Sequence, residues 1–384
     1  DRLRMDADLL AAMPMELSQQ IRGLDIQGPL QLEGDVYLAH QPTATKSLHA
    51  SWRVRLEVAG AAIDCGTRLS GIHGGIQFTG VVDDRGFRSS AFVEIDSMFL
   101  GNQQITKIQG PLWIDERQIL AGNWARATQQ NKTGSTVIRQ PQRPAMSLTG
   151  HSFGGVGKID LQVLFDKDQR LSEHANGKSQ PRFMLQASLL QADLAKLARH
   201  RGVQERTSGR VDATVRLQGV TGDRTSWLGD GQVRLKQADT YELPLMVALF
   251  NKIEMQADRG VFSSTDVDFR IRNDQIVLDR IDLRGDTVSL YGTGWMSFEE
   301  EINLNFYSRV GRQQIAIPII NAVLTEASKS LLQIEVVGTV GQPRVNRTAF
   351  PELDGAMERI LKNLEPRIAV PIRDGQDAGV LQLR

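Results

Sequence analysis

Apolar and polar residues alternate along most of this chain, and this period of two is the feature that most limits its fold. The stretch VDATVRLQG, for example, places four apolar residues on one side: Val211, Ala213, Val215 and Leu217. Because successive side chains of a β-strand point to opposite faces, such a segment has one apolar and one polar face. One-sided alternation with short connections predicts an antiparallel sheet, since strands buried in a parallel sheet are apolar on both faces.

The second half of the chain repeats this pattern many times, with Gly, Asp or Asn between the repeats. A turn is predicted at Asn273 and Asp274, and the phase slips at Asp279 and Arg280, as it does at a β-bulge. The predicted apolar face of this half consists of Val211, Val215, Leu217, Val233, Leu235, Val267, Phe269, Ile271, Ile276, Leu278, Val288, Leu290, Met296, Ile302, Leu304, Phe306, Leu332, Ile334 and Val336.

The first third alternates in the same way, from Leu24 to Leu38 and from Trp52 to Val58. The fold class is therefore mainly β with a few amphipathic helices (α+β). So many one-sided strands exceed what one compact sandwich holds. They form either two sandwiches or an elongated, curved antiparallel sheet with an apolar concave face, a β-groove.

Apolar residues at helical spacing are confined to a few stretches, which predict short amphipathic helices that cover the sheet. These stretches are residues 9–21, 190–197, 318–331 and 352–364. In the second of them, Leu190, Leu194 and Leu197 share one side, and Gly202 is predicted to end the helix.

A polar stretch with two prolines, TQQNKTGSTVIRQPQRP, interrupts the alternation between residues 128 and 144 and is the best linker candidate. It divides the chain into three predicted parts. These are an N-terminal β-rich groove segment with leading helices at 1–128, a polar linker at 129–146, and a second β-rich region at 147–384.

The charge balance and the cysteine count exclude several functional classes. The 45 basic and 45 acidic residues cancel, whereas nucleic-acid binders and polybasic membrane arms carry an excess of Lys and Arg. Cys65 is the only cysteine, so neither an intramolecular disulfide nor a cysteine-rich zinc site can form. The six histidines have no metal-ligand spacing. We therefore expect no nucleic-acid partner, no bound metal and no cofactor.

No apolar run approaches the 18 or so residues that span a bilayer as a helix. The chain begins at Asp1, with neither an initiator Met nor a signal-like region. We therefore expect a mature form or an excised piece of a longer protein, with any targeting or anchoring segment in the missing part.

The stretch GHSFGG, which begins at Gly150, fits the G-x-S-x-G pattern of the nucleophile elbow in α/β-hydrolases, and HGG at residues 73–75 fits a lipase oxyanion motif. An elbow requires a strand before the serine and a helix after it. Here KIDLQV follows and predicts a strand, and the last histidine, His200, lies in a basic helix end. We therefore predict that Ser152 is a loop residue, that there are no catalytic residues, and that the chain is not an enzyme.

An ordered series of features runs from about Phe183 to Val345. GRVDATVRLQG is followed by a G-x-G-x-V strand opening at Gly229, a Leu-Pro-Leu helix at Leu243, a strand pair ending in LYGTGWMSF, and a strand ending G-T-x-x-x-P-x-V at residues 338–345. The series resembles the AsmA-like C-terminal domain family, the AsmA/TamB-like bridge-like lipid-transfer proteins of the Gram-negative envelope. Residues 9–32 also resemble the N-terminal region of these proteins.

The resemblance implies a repeating β-groove in the periplasm, usually anchored in the inner membrane by one N-terminal helix, that moves lipid between the inner and outer membranes or maintains the outer membrane. We therefore expect a non-enzymatic protein that carries phospholipid or another acyl lipid along the apolar face defined above. Its membrane anchor would be the missing N-terminal segment, and envelope proteins are possible partners.

The alternative is a structural or scaffolding envelope module whose apolar faces close into dry β cores. Such a module would act through protein–protein contacts in outer-membrane assembly. Replacing Leu290 or Phe269 with Asp is expected to separate the two functions, because a charge abolishes lipid loading in an open groove but unfolds a closed core.

Overall fold

The fold is seen in a computed structural model. It describes residues 27–40, 48–64, 68–84, 86–125, 146–165, 181–200, 207–239, 264–285, 288–310 and 331–349. Of these residues, 83% are in strands and only 5% in helices, so the predicted mainly-β class is confirmed.

Seventeen strands account for nearly all of the described residues. In chain order they are β1 (Leu30–His40), β2 (Leu48–Asp64), β3 (Arg68–Asp83), β4 (Gly86–Leu100), β5 (Gln103–Asp115), β6 (Gln118–Ala121), β7 (Leu148–Ser152), β8 (Gly155–Leu164), β9 (Arg182–Asp193), β10 (Ser208–Val220), β11 (Asp223–Asp239), β12 (Ser264–Arg272), β13 (Gln275–Arg284), β14 (Val288–Ser297), β15 (Glu301–Val310), β16 (Leu331–Thr339) and β17 (Pro343–Ala349). Helix α1 (Leu194–His200) lies between β9 and β10, and residues 123–125 form a single helical turn.

The strands form one antiparallel sheet in which nearly every strand pairs with the next one along the chain. The exception is that β6 and β7 share one position, because both pair with β5 and with β8. At about 4.8 Å per strand, sixteen positions extend about 70 Å. The structure therefore decides between the two predicted architectures in favour of one elongated sheet, which continues on both sides of residues 126–145.

The register assigns each residue to a face, since directly paired residues of an antiparallel sheet share one. Leu217 pairs with Gly229, Gly229 pairs with Ile271, and Ile271 pairs with Ile276, so these positions lie together. The same register continues through all seventeen strands. We call this side the apolar face and the other the polar face.

The polar face carries ion pairs between neighbouring strands. Lys236 Nζ lies 3.4 Å from Asp212 Oδ2, and Arg280 Nη2 lies 2.9 Å from Asp268 Oδ2. These charged residues alternate in sequence with apolar ones, so the one-sided pattern predicted from the sequence is confirmed in this region.

Trp227 on β11 and Phe298 just beyond β14 reveal the direction in which the sheet curves. Both lie on the apolar face, two residues from Gly229 and Met296 respectively. Three strand spacings, about 14 Å in a flat sheet, separate β11 from β14. The two ring centroids are nevertheless only 5.8 Å apart. The sheet is therefore concave on its apolar face and forms a groove.

Bulges bend the strands that form this groove. The pairing of β13 with β14 jumps from Leu278–Gly294 to Ile281–Gly292, which confirms the phase slip predicted at Asp279 and Arg280. The turn predicted at Asn273 and Asp274 is also confirmed. Both residues have positive φ (48° and 65°), as a two-residue type I′ hairpin requires.

Two predicted helix boundaries are wrong. Strand β9 continues to Asp193, so Leu190 lies in a strand and α1 begins only at Leu194. The Asp193 carboxylate accepts the backbone N–H of Ala195 at 2.9 Å, an N-cap that sets this start. Leu331 belongs to β16, not to a helix. Gly202 and the stretches predicted as helices at 9–21, 318–330 and 352–364 lie outside the described residues.

Asp212 on β10 holds the bulge at Gln191, whose φ is 56°. Its Oδ1 accepts the backbone N–H of Gln191 at 2.8 Å, and its Oδ2 lies near Lys236. Burial opposes ionisation of this carboxyl, but the hydrogen bonds from Gln191 and Lys236 outweigh it. They hold the pKa of Asp212 below its ordinary value of 3.8.

We expect Asp212→Ala to lower the free energy of unfolding by about 1–2 kcal/mol near neutral pH. A carboxyl with a lowered folded-state pKa stabilises the fold above its unfolded pKa, and this stabilisation is lost as the pH falls through the lowered value. Chemical denaturation measures the free energy of unfolding of the variant and of the unmodified protein, at neutral pH and well below pH 3.8. The difference between the two proteins should be smaller at the acidic pH.

Asp230→Ala is the matched control, because Asp230 lies on the same face but only in an exposed pair with Arg216. It should cost less than about 0.5 kcal/mol. Equal losses from the two variants, or a difference that does not change with pH, would show that Asp212 does not hold the bulge.

Candidate apolar groove

The nineteen residues predicted to line a groove all occupy register positions of the apolar face. Val215 pairs with Gly231, which pairs with Phe269, and Phe269 pairs with Leu278. The series continues from β14 through β16, where Leu304 pairs with Val336. The alternation read from the sequence therefore placed these residues on one surface.

This surface is almost free of charge. Among the described cross-strand partners of the nineteen residues, the one charged residue is Arg347, which pairs with Ile334 at the last strand. Other partners are apolar or small, such as Ala187 opposite Val215 and Gly292 opposite Phe306. A ligand on this surface would meet hydrocarbon and glycine backbone, and no ionised group between β8 and β16.

The nineteen residues differ in how far they are exposed. Eight have buried side chains that are packed against protein: Val211, Ile271, Leu290, Ile302, Leu304, Phe306, Ile334 and Val336. Nine are half-buried: Val215, Leu217, Val233, Leu235, Val267, Phe269, Ile276, Leu278 and Met296. For Val288 and Leu332 the backbone register alone assigns the face. The half-buried group forms the accessible lining.

The exposure of Leu290 changes the expected result of one substitution. Its side chain is fully buried, so Leu290→Asp would unfold this region whether or not another part of the face is open. The alternation in the sequence predicts the same place on the face for Leu290 and Phe269. Only Phe269 is half-buried, so only there does a charge test whether the groove is open.

The apolar face continues into the N-terminal strands, beyond the predicted lining. Val54 pairs with Phe78, which pairs with Ala91, so β2 to β4 continue the same surface. At β1 the exposed fractions of Leu32, Val36 and Leu38 are 46%, 59% and 68%. The alternation of apolar and polar residues from Leu24 to Leu38 already indicated that β1 has an apolar face.

Glycines let large aromatic side chains lie flat on this face. A Cβ on Gly231 would lie 2.3 Å from Phe269 Cζ, and one on Gly292 would lie 2.5 Å from Phe306 Cδ1. Each ring therefore covers the glycine of the neighbouring strand. Because each ring lies over a glycine and along the sheet, it projects less far into the groove.

An aromatic cluster that the sequence analysis missed closes one margin of the groove. Trp227 makes edge-on contacts with Phe183 and with Phe298, both at 5.8 Å between centroids. The Arg224 guanidinium lies 5.8 Å from the Phe298 ring centre. These residues come from three separate strand ends, so no local pattern in the sequence predicts that they meet.

Helix α1 covers the opposite margin of the same strands. Leu194 and Leu197 pack with Val211, Val233 and Leu235 in one apolar cluster. The accessible lining of β10 and β11 therefore lies between this helix and the aromatic cluster.

Ser152 is not in a nucleophile elbow. It ends β7, and after the two residues Phe153 and Gly154 the chain enters β8. Its hydroxyl donates to the Gln104 carbonyl at 3.5 Å. The prediction that a strand follows the serine is confirmed, although Ser152 lies at the end of a strand and not in a loop.

In the part of the chain that the structure describes, no group of three or more His, Cys, Asp or Glu residues could hold a metal ion. No helix in the same part is long and apolar enough to cross a membrane. The helix predicted at Leu243 lies outside the described residues, as does nearly all of the linker predicted at 129–146.

We expect Gly231→Ala to lower the free energy of unfolding by about 1–3 kcal/mol. The new Cβ would lie 2.3 Å from Phe269 Cζ and 2.7 Å from the Thr214 carbonyl oxygen, and the backbone contact leaves no room to move. Urea denaturation measures the loss.

Gly341→Ala is the control, since a Cβ there meets nothing within 4 Å. Its effect should stay within about 0.5 kcal/mol. A neutral Gly231→Ala would mean that the Phe269 ring does not rest on Gly231.

No protein-family model, no curated protein and no solved structure matches this chain.

Proposed function

We propose that this chain is a non-enzymatic lipid-binding protein of the bacterial cell envelope, which carries acyl chains along its apolar groove between the inner and outer membranes. One observation carries the proposal. The concave face of a sheet with sixteen strand positions is apolar and nearly free of charge, and it is accessible over much of its length.

The energetics of lipid transfer favour such a surface. Burial of hydrocarbon is worth about 0.8 kcal/mol per CH₂, so a 16-carbon chain exposed to water costs on the order of 10 kcal/mol. A concave apolar face open to one side removes most of this cost, while a polar headgroup can stay in water. An accessible apolar surface of this extent is unusual for a soluble monomer and is typical of a binding site.

The charges favour recognition of the acyl chain over recognition of the headgroup. The lining offers no cation to a phosphate, and basic residues of the polar face pair with carboxylates. Arg280 pairs with Asp268, and Arg234 lies 3.6 Å from Asp266. The proposed ligand is therefore phospholipid or another acyl lipid, selected by its apolar part.

The location and partners rest on the resemblance to AsmA-like proteins. It supports a periplasmic protein, anchored to the inner membrane in its full-length form, with envelope proteins as partners. A periplasmic site would place the groove between the two membranes that supply and receive the lipid.

A scaffolding function is the second candidate, and the burial at the C-terminal strands favours it. Leu290, Phe306, Ile334 and Val336 are fully buried, as they would be in a closed β core. If the whole face were closed in this way, the protein would act through protein contacts alone.

The first test is organic extraction of the purified, detergent-free protein followed by mass spectrometry. Phospholipid at one or more molecules per chain is the expected result. A folded protein that carries no lipid, and takes none from vesicles, would favour the scaffold.

A pair of variants then tests the face. Ile159 on the apolar face and Met184 on the polar face have nearly equal exposed fractions, 39% and 38%, and lie on neighbouring strands. We expect Ile159→Asp to reduce the bound lipid several-fold, because the charge must share the groove with hydrocarbon. Met184→Asp should leave lipid loading unchanged.

Circular dichroism of both variants checks that the sheet is intact. Val215→Asp provides a second test at a half-buried position of the accessible lining. Equal lipid loading in Ile159→Asp, Met184→Asp and the unmodified protein would rule out binding on the apolar face.

A further inference from the structure

We infer that the groove is open at its β1 end and blind at its β15–β17 end, so that acyl chains enter and leave at β1. This inference rests on the proposed lipid-binding function. It concerns which end exchanges ligand, and it follows from the difference in burial between the two ends of one continuous apolar face.

At the β1 end the apolar face reaches solvent. Leu32, Val36 and Leu38 are the most exposed apolar side chains on this face, and β1 pairs only with β2 among the described strands. Gly34 lies between Leu32 and Val36 on the same face and adds no side chain. Leu30, at the start of the same strand, is buried, so hydrocarbon arriving from outside the protein would meet the accessible apolar surface from Leu32 to Leu38.

At the other end the side chains of the same face are buried. On β15 the described side chains of this face are Ile302, Leu304 and Phe306, and each is at most 5% exposed. Ile334 and Val336 on β16 are fully buried. No described side chain on the apolar face of these two strands is accessible to a ligand.

The glycine beneath Phe306 does not leave a channel. A Cβ on Gly292 would lie within 2.7 Å of two atoms of the Phe306 ring, so the ring already fills that space. Gly231 under Phe269 has the same arrangement, but Phe269 is half-buried whereas Phe306 is fully buried. The lining therefore ends between β13 and β15.

The two margins direct an acyl chain along the groove. The aromatic cluster of Phe183, Trp227 and Phe298 covers one margin at β9 to β14, and α1 covers the other at β9 to β11. From β1 to β13 there are twelve strand positions, or about 50 Å at 4.8 Å per spacing. One leaflet of a bilayer has about 15 Å of hydrocarbon, so this length accommodates about three acyl chains end to end.

A groove with one open end determines how lipid is exchanged. In this conformation the protein would load and unload at the same end, as a carrier does, whereas a through-channel needs two open ends. Passage beyond β15 would require the buried side chains of Leu304, Phe306, Ile334 and Val336 to become accessible.

The first experiment uses photo-leucine, whose diazirine side chain is nearly the size of leucine, so the fold is not altered. The whole protein is labelled at its leucines, loaded from phosphatidylcholine vesicles, irradiated and digested. Mass spectrometry then locates lipid adducts. We expect adducts at Leu32, Leu38, Leu56 and Leu217, and none above background at Leu290 and Leu304.

Each pattern of adducts has one meaning. Adducts at Leu290 or Leu304 as frequent as those at Leu217 would overturn the blind end while leaving lipid binding in place. A complete lack of lipid adducts, in protein that binds no lipid by extraction, would overturn the proposed function and this inference together.

The second experiment tests the open end through the rate of exchange. Leu38 and Tyr37 are adjacent on β1, equally exposed at 68%, and on opposite faces. We expect Leu38→Arg to slow the release of a fluorescent phosphatidylcholine into vesicles by about tenfold, because the chain must pass a charge. Tyr37→Arg should leave the rate within about twofold. Equal release rates in both variants would place the exchange elsewhere.

Discussion

Backbone pairing between strands adjacent in sequence is the interaction on which the whole structure depends. Each strand is held mainly by its two neighbours, from the β1–β2 ladder to the β16–β17 ladder. In most β proteins the apolar side of such a sheet is buried against a second sheet or a layer of helices. Here the described chain supplies one short helix, α1, and small local clusters. The half-buried and exposed apolar side chains between β1 and β13 form a concave surface, whereas the described ones of the same face on β15 and β16 are buried.

Curvature makes this surface a groove, and specific backbone features produce the curvature. Bulges at Gln191 and at Asp279 and Arg280 bend the strands. Hydrogen bonds such as that from the Gln191 backbone to Asp212 hold the bends in place from the polar side. The polar face therefore contributes to the shape of the apolar face, since the Asp212 carboxylate holds the bulge at Gln191.

The groove is not uniform along its length, and under the proposed function this difference separates the binding surface from the stabilising core. The exposed leucines of β1 and the fully buried Phe306 and Ile334 belong to the same face and the same register. Accessible hydrocarbon surface favours lipid binding, whereas packed surface supplies stability. A protein built of one sheet needs both, because a face that was open throughout would leave little buried core to stabilise the fold.

The sequence by itself determined the strands, their two faces and several local details. The alternation identified the face that holds Val215 and Phe269, the turn at Asn273 and Asp274, and the bulge that follows, because each depends on neighbouring residues alone. The tertiary structure decided which of these residues are accessible. Leu217 and Leu290 have the same pattern in the sequence, yet the first is half-buried and the second fully buried. Burial depends on residues distant in sequence, as does the contact between Trp227 and Phe298, and a period of two carries no information about either.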